Sequence, residues 1–154
     1  MAEGQGQLLT RSGALIALAW GADTLRAMVE LQALAPGGVD INRSLVAAWP
    51  RIVLRFIRQA TAYEWRTVPS YEIQILVSDR AADYTRLWDI EPLIRAALDD
   101  KHSVWADGGY IVTSRIRTAE PRDYVDPDTG EQSAMLDITW YVTVNPVPYD
   151  PSQP

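Results

Sequence analysis

The sequence predicts an α+β protein. It should be a two-layer sandwich in which two main helices cover one face of a four-stranded, mainly antiparallel sheet, in the order α-β-β-α-β-β. Three observations carry this expectation. Four stretches alternate apolar and polar residues with the period of a half-buried strand. Two others repeat their apolar residues at helical spacing. The loop within each strand pair is short enough for an antiparallel hairpin, while a helix separates the pairs.

The first helix should span Leu8 to about Leu34, where Leu8, Leu15, Ile16, Leu18, Leu25, Met28, Val29 and Leu31 recur helically. Gly21 costs about 1 kcal/mol in a helix interior, so a break is expected near Trp20-Gly21. Ala35-Pro36-Gly37-Gly38 ends the element, and residues 35–50 read as an irregular arm. The strands follow. In the first, Ile52, Leu54 and Phe56 share a face opposite Arg51 and Arg55. In the second, Tyr71, Ile73, Ile75 and Val77 oppose Glu72, Gln74 and Ser78. A helix from Arg80 to about Leu98 comes next, with Asp79 as its N-cap and a bend at Pro92. Its stripe includes Tyr84, Leu87, Trp88, Ile94 and Leu98. The third strand sets Tyr110, Val112 and Ile116 against Thr113, Arg115 and Arg117. Asp126-Pro127-Asp128-Thr129-Gly130 then turns the chain. The last strand sets Leu136, Ile138, Trp140, Val142 and Val144 against Asp137, Thr139, Tyr141 and Thr143. Residues 145–154, with four prolines, read as an extended tail. The whole of 1–154 reads as one domain.

Composition narrows the function classes. With 47% hydrophobic and 22% charged residues the chain has the balance of a folded domain. No apolar run reaches the length of a membrane helix, and the N-terminus lacks a signal-peptide pattern. There is no cysteine, so no disulfide, thiolate nucleophile or cysteine-based metal site. The net charge of −6, without a visible basic stripe in the sequence, argues against a tight duplex-gripping protein. His102, the single histidine, follows a helix in the polar run Asp99-Asp100-Lys101-His102, which suits solvation better than a catalytic triad. Asp126, Asp128 and Glu131 lack calcium-loop spacing and suit a hairpin turn. Gly108-Gly109 lacks the strand-to-helix setting of a phosphate cradle. We expect no catalytic residues, no cofactor and no metal.

The six tryptophans are more informative. Trp20, Trp88 and Trp140 read as core. Trp49, Trp65 and Trp105, beside loops and strand ends, are either lids on the core or interface anchors.

The stretch from Pro50 to Thr143 resembles the tail terminator, or minor tail completion, proteins of long-tailed bacteriophages. The resemblance runs through Trp49-Pro50-Arg51-Ile52-Val53-Leu54, the strand Tyr71–Val77 and Leu93-Ile94-Arg95-Ala96-Ala97-Leu98-Asp99. It continues through Asp123-Tyr124, Asp128-Thr129-Gly130 and Met135–Val142. It implies a non-enzymatic virion protein, assembled in the host cytoplasm. Such a protein forms a hexameric ring that caps the head-proximal end of the tail tube, stops its polymerisation and joins tail to head. The implied partners are other copies of the chain, the tail tube protein and a head-completion or neck (stopper) protein. DNA would pass through the channel without specific binding, and net negative charge would suit such sliding. A ring needs two different patches per subunit. The candidates are Leu45, Val46 and Trp49 in the arm, Tyr63 and Trp65 at a strand end, Trp105, and Tyr149 in the tail. Another neck component, a stopper or head–tail joining protein, and a small bacterial ligand-binding α+β module are the alternatives.

Overall fold

The computed structural model describes residues 8–43, 48–60, 68–80, 84–125 and 127–148. Its helices are α1 (Gly13–Arg26), α2 (Val29–Leu34) and α3 (Thr85–Leu98). Its strands are β1 (Val39–Ile41), β2 (Arg51–Ala60), β3 (Ser70–Arg80), β4 (Lys101–Ala106), β5 (Gly109–Val125) and β6 (Gln132–Pro146). They form one six-stranded sheet in the order β1-β2-β3-β6-β5-β4.

The expected four-stranded two-layer sandwich is therefore wrong. The sheet is larger, mixed, and curled into a half-barrel, and helices are the minor part. The four alternating stretches do form β2, β3, β5 and β6, but two edge strands join them. β1 lies inside the expected irregular arm and pairs parallel with β2, Val39 opposite Ile52. Three residues are too few to show a period. β4 pairs antiparallel with β5 and lies in the polar run read as a helix end. Ser103 there has φ of 53°, which disturbs alternation. Register shifts at Phe56/Arg58, Ile111/Thr113 and Ile116/Thr118 mark β-bulges. Each adds a residue to one strand, bends it and increases its twist, which is why this sheet curls.

The bulges also reset the faces. At the start of β5, Ile111 and Ser114 point into the core while Tyr110 and Val112 are exposed, the reverse of the alternation expected there. Phe56, placed on the core face by sequence, is 42% exposed beside the β2 bulge.

The core lies between the sheet and the helices, with α1 over β1, β2 and β6, and α3 over β3, β5 and β6. Ile16, Ala17, Gly21, Ala22 and Leu25 make the buried stripe of α1. The break falls at Ala27-Met28, not Trp20-Gly21. Gly21 is there for close approach: a Cβ would come within 2.7 Å of the Trp140 ring and 3.1 Å of Leu54. Gly38, at φ of 77°, turns the chain from α2 into β1. α3 begins at Thr85 and runs through Pro92 as one helix. Asp79 is no cap. It sits near the end of β3, 2% exposed, and both its oxygens are held by Arg86 of α3 at 2.6 and 2.8 Å. Trp88 is not core either. The buried stripe of α3 is Leu87, Ile90, Ile94 and Leu98, which turns Trp88 outward at 45% exposure.

Trp140 is fully buried and touches every layer. Its ring centroid lies 6.1 Å from that of Trp20 on α1. Its Nε1 donates to Ser114 Oγ of β5 at 2.7 Å, and that hydroxyl donates to the Leu98 carbonyl at the end of α3. Gly21→Ala should therefore lower stability by about 1–3 kcal/mol through overpacking, outweighing the ~1 kcal/mol gain in helix propensity. Urea unfolding checks this; equal or higher stability would show that α1 does not press on Trp140 as described. Ser114→Ala should cost about 1–3 kcal/mol, because it strands the buried indole N–H.

Candidate interaction surface

One face of the sheet is covered by helices; no described helix lies on the other. Cross-strand partners point to the same side, so the register identifies its residues. Arg51, Arg55 and Arg58 come from β2, opposite Ser78, Gln74 and Glu72. Arg80 of β3 is opposite Ser133. Arg115 and Arg122 of β5 are opposite Tyr141 and Met135. Arg117, the extra residue of the second β5 bulge, puts its guanidinium 5.3 Å from the centre of the Tyr141 ring.

Among the described residues this face holds seven arginines, against Glu72, Glu120, Glu131 and Asp137. These residues are positive by three charges within a chain whose net charge is −6, and Glu131 lies 3.8 Å from Arg80. The acids are engaged. Glu72 accepts from the Tyr141 hydroxyl and lies 3.4 Å from Arg58. Asp137 accepts from Gln74 at 2.9 Å and pairs with Arg122 at 3.2 Å. Arg122 also lies 3.5 Å from Glu120. Arg55, Arg115 and Arg117 make no ion pair with a described residue. The basic stripe that composition hid is present, assembled from strands remote in sequence. Its signal was the arginines at outward positions, which stand out only when outward charges are summed strand by strand. Of these arginines, Arg58, Arg80 and Arg122 pair with acids of the face.

Where β4 stops, no described strand pairs with the rest of that edge of β5. The Ile116 N–H at that point is satisfied by Asp99 Oδ1 at 2.9 Å, so the carboxylate after α3 continues the ladder where β4 no longer does.

The interface candidates divide. Leu45, Val46, Tyr63, Trp65 and Tyr149 lie outside the described residues. Trp49 and Trp105 sit at opposite ends of the sheet, and the fold does not bring them together. Trp49 is half-buried just before β2, with the Arg51 guanidinium 3.7 Å from its ring centre. It lines an open cleft of about 480 Å³ with Arg80, Tyr124, Glu131 and Met135. Trp105 is 58% exposed near the end of β4, edge-on to Tyr110 at 4.6 Å. It lines a cleft of about 270 Å³ with Arg11, Val147 and Pro148. Tyr110, the other exposed member of that aromatic pair, was missed because the first β5 bulge reversed its expected face.

Residues examined for chemistry are placed without convergence. His102 is half-exposed on β4 with Nε2 2.8 Å from Asp100 Oδ1. Residues 127–130 turn between β5 and β6, with Gly130 at φ of 71°. Among the described residues no group of acidic and histidine side chains could hold a metal ion, and no buried side-chain polar atom lacks a partner.

Two tyrosines are perturbed by carboxylates. The hydrogen bond to Glu72, with burial and the Glu72 charge, raises the pKa of Tyr141, while Arg117 and Arg58 oppose this. The bond to Asp123 does the same for Tyr84. A raised folded pKa means that the stabilisation is fully present below about pH 10 and is lost as pH rises through the folded value. Thermal melts from neutral to alkaline pH should show this loss, and Tyr141→Phe should shrink it while leaving the share due to Tyr84. An undiminished loss in the variant would exclude Tyr141 as a source.

No protein-family model matches the sequence, and no curated protein matches it. Among solved structures, the fold is similar to that of a chain from the virion of a native gene transfer agent particle. The TM-score is 0.66 at 16% identity, and the match covers 86% of this chain and 97% of that one. That likeness establishes a shared backbone architecture.

Proposed function

We propose that this chain is a non-enzymatic structural protein of a phage-like virion, and within it a tail terminator. It forms a hexameric ring at the head-proximal end of the tail tube, stops tube growth and joins the tail to the neck. The observation that carries the reading is the fold likeness to a virion chain over nearly that chain's whole length. The sequence resemblance from Pro50 to Thr143 supplies the finer role. A fold alone does not give a function, but here two independent likenesses point to one class of particle.

The surface suits such a part. A closed ring of identical subunits needs two different patches on each subunit. The clefts at Trp49 and Trp105 are unlike one another and lie at opposite ends of the sheet. Exposed aromatics beside loops are the residue types that anchor protein interfaces.

Light-scattering mass over a wide concentration range tests the ring. The expected species is close to six times 17.2 kDa. The tube tip can template ring closure, so a monomer is followed by mixing with the tube subunit. A stable dimer, or a monomer that also ignores the tube subunit, would refute the ring. Disrupting the gene in its own particle separates terminator from neck: tails of uncontrolled length are expected. Normal tails that fail to retain DNA would instead place the chain among the neck components.

A further inference from the structure

The geometry points to the open sheet face as a binding surface for the sugar-phosphate backbone of duplex DNA, engaged without regard to sequence. This goes beyond the terminator reading and does not rest on it.

Charge is the first reason. Outside this face the described residues include six basic and 11 acidic ones, so the positive charge is concentrated where β2, β3 and β5 present it together. Such segregation gives a local field opposite to that of the whole protein. All seven cations are arginines, whose planar guanidinium presents donors in the fork that matches phosphate oxygens. Two of them are stacked on aromatic rings, Arg51 on Trp49 and Arg117 on Tyr141. Stacking uses the flat face of the guanidinium, and Arg117, which makes no ion pair with a described residue, keeps its N–H edge for an anion.

Shape is the second reason. From β2 to β5 the face is about 14 Å wide, and from Glu72 to Arg80 about 26 Å long. Arg58, Arg115 and Arg117 lie at one end, Arg51, Arg80 and Arg122 at the other, with Arg55 between. An extended polyanion fits that spread; a small anion does not need it. A protein partner is the lesser fit, because protein interfaces place apolar anchors centrally and keep charge at the rim. Here charge runs the whole length of the face: Arg55 and the ion-paired Asp137 stand midway, and Glu72 lies at the Arg58 end.

The test is fluorescence anisotropy of a labelled duplex of roughly 30 base pairs titrated with the purified full chain at several salt concentrations. With about three net charges engaged, log affinity should fall with log salt at a slope of about −2.7, or roughly 40-fold between 50 and 200 mM. Arg55→Glu and Arg117→Glu should each weaken binding several-fold, more than Arg11→Glu, which makes the same charge change away from the face. Their melting curves report whether they remain folded, and Arg55→Gln supplies a milder reading at the same site. No binding at 50 mM salt would overturn the proposal, as would an Arg11→Glu effect equal to the others. So would a change of oligomeric mass in Arg55→Glu or Arg117→Glu with DNA affinity unaltered, because the face would then be a contact between protein subunits.

Discussion

Burial of the Trp140 indole is the constraint on which the rest of this structure depends. A side chain of this size must be both enclosed and hydrogen-bonded, because its N–H costs free energy in an apolar setting without an acceptor. Enclosure comes from α1, which can approach closely only because Gly21 lacks a side chain. The acceptor is Ser114 of β5, itself 0% exposed and bonded onward to the Leu98 carbonyl. One residue of β6 thereby sets the height of α1, the register of β5 beside it and the docking of the end of α3. The Asp79–Arg86 pair is a second tie between α3 and the sheet, at the other end of the helix.

With the described helices on one face, no described helix lies on the other, and the bulges shape it. At Arg117 the extra residue of β5 carries a guanidinium over Tyr141 where regular pairing would have spent the position on the ladder. The edge of β5 beyond Ser114, which no described strand pairs, is kept from indiscriminate pairing by charge, by the bulge and by Pro121, the usual protections of an exposed edge. The same residues that protect the edge thus supply part of the positive face.

Local pattern was legible in the sequence; long-range partnership was not. β3 and β6 read cleanly because their alternation is unbroken, from Tyr71 to Val77 and from Leu136 to Val144. β5 was half-misread because the bulge at Ile111/Thr113 shifts its phase by one residue, which puts Tyr110 and Val112 on the face opposite to Ile116. β1 is too short to have a period, and β4 is stabilised by β5 rather than by its own residues. Asp79 has the side chain of an N-cap and stands before a helical segment, so its chemistry was recognised and its partner was not. The buried ion pair with Arg86 became visible only when strand and helix were set side by side. The candidate surface shows the same division: its alternation was read, but its charge is a property of four strands together.

The gap between fold and surface decides how far a structural likeness can be carried. At 16% identity a shared backbone path retains the pattern of inward-facing residues and leaves the outward positions free to differ. The core around Trp140 therefore speaks to architecture, and the arginine face speaks to what this chain meets. Net charge can mislead about the second. A chain at −6 would be repelled by DNA if its charge were evenly spread, yet at a Debye length of about 8 Å in physiological salt a polyanion close to the sheet senses mainly the sheet. At that range the face is positive, because its described cations outnumber its described acids seven to four.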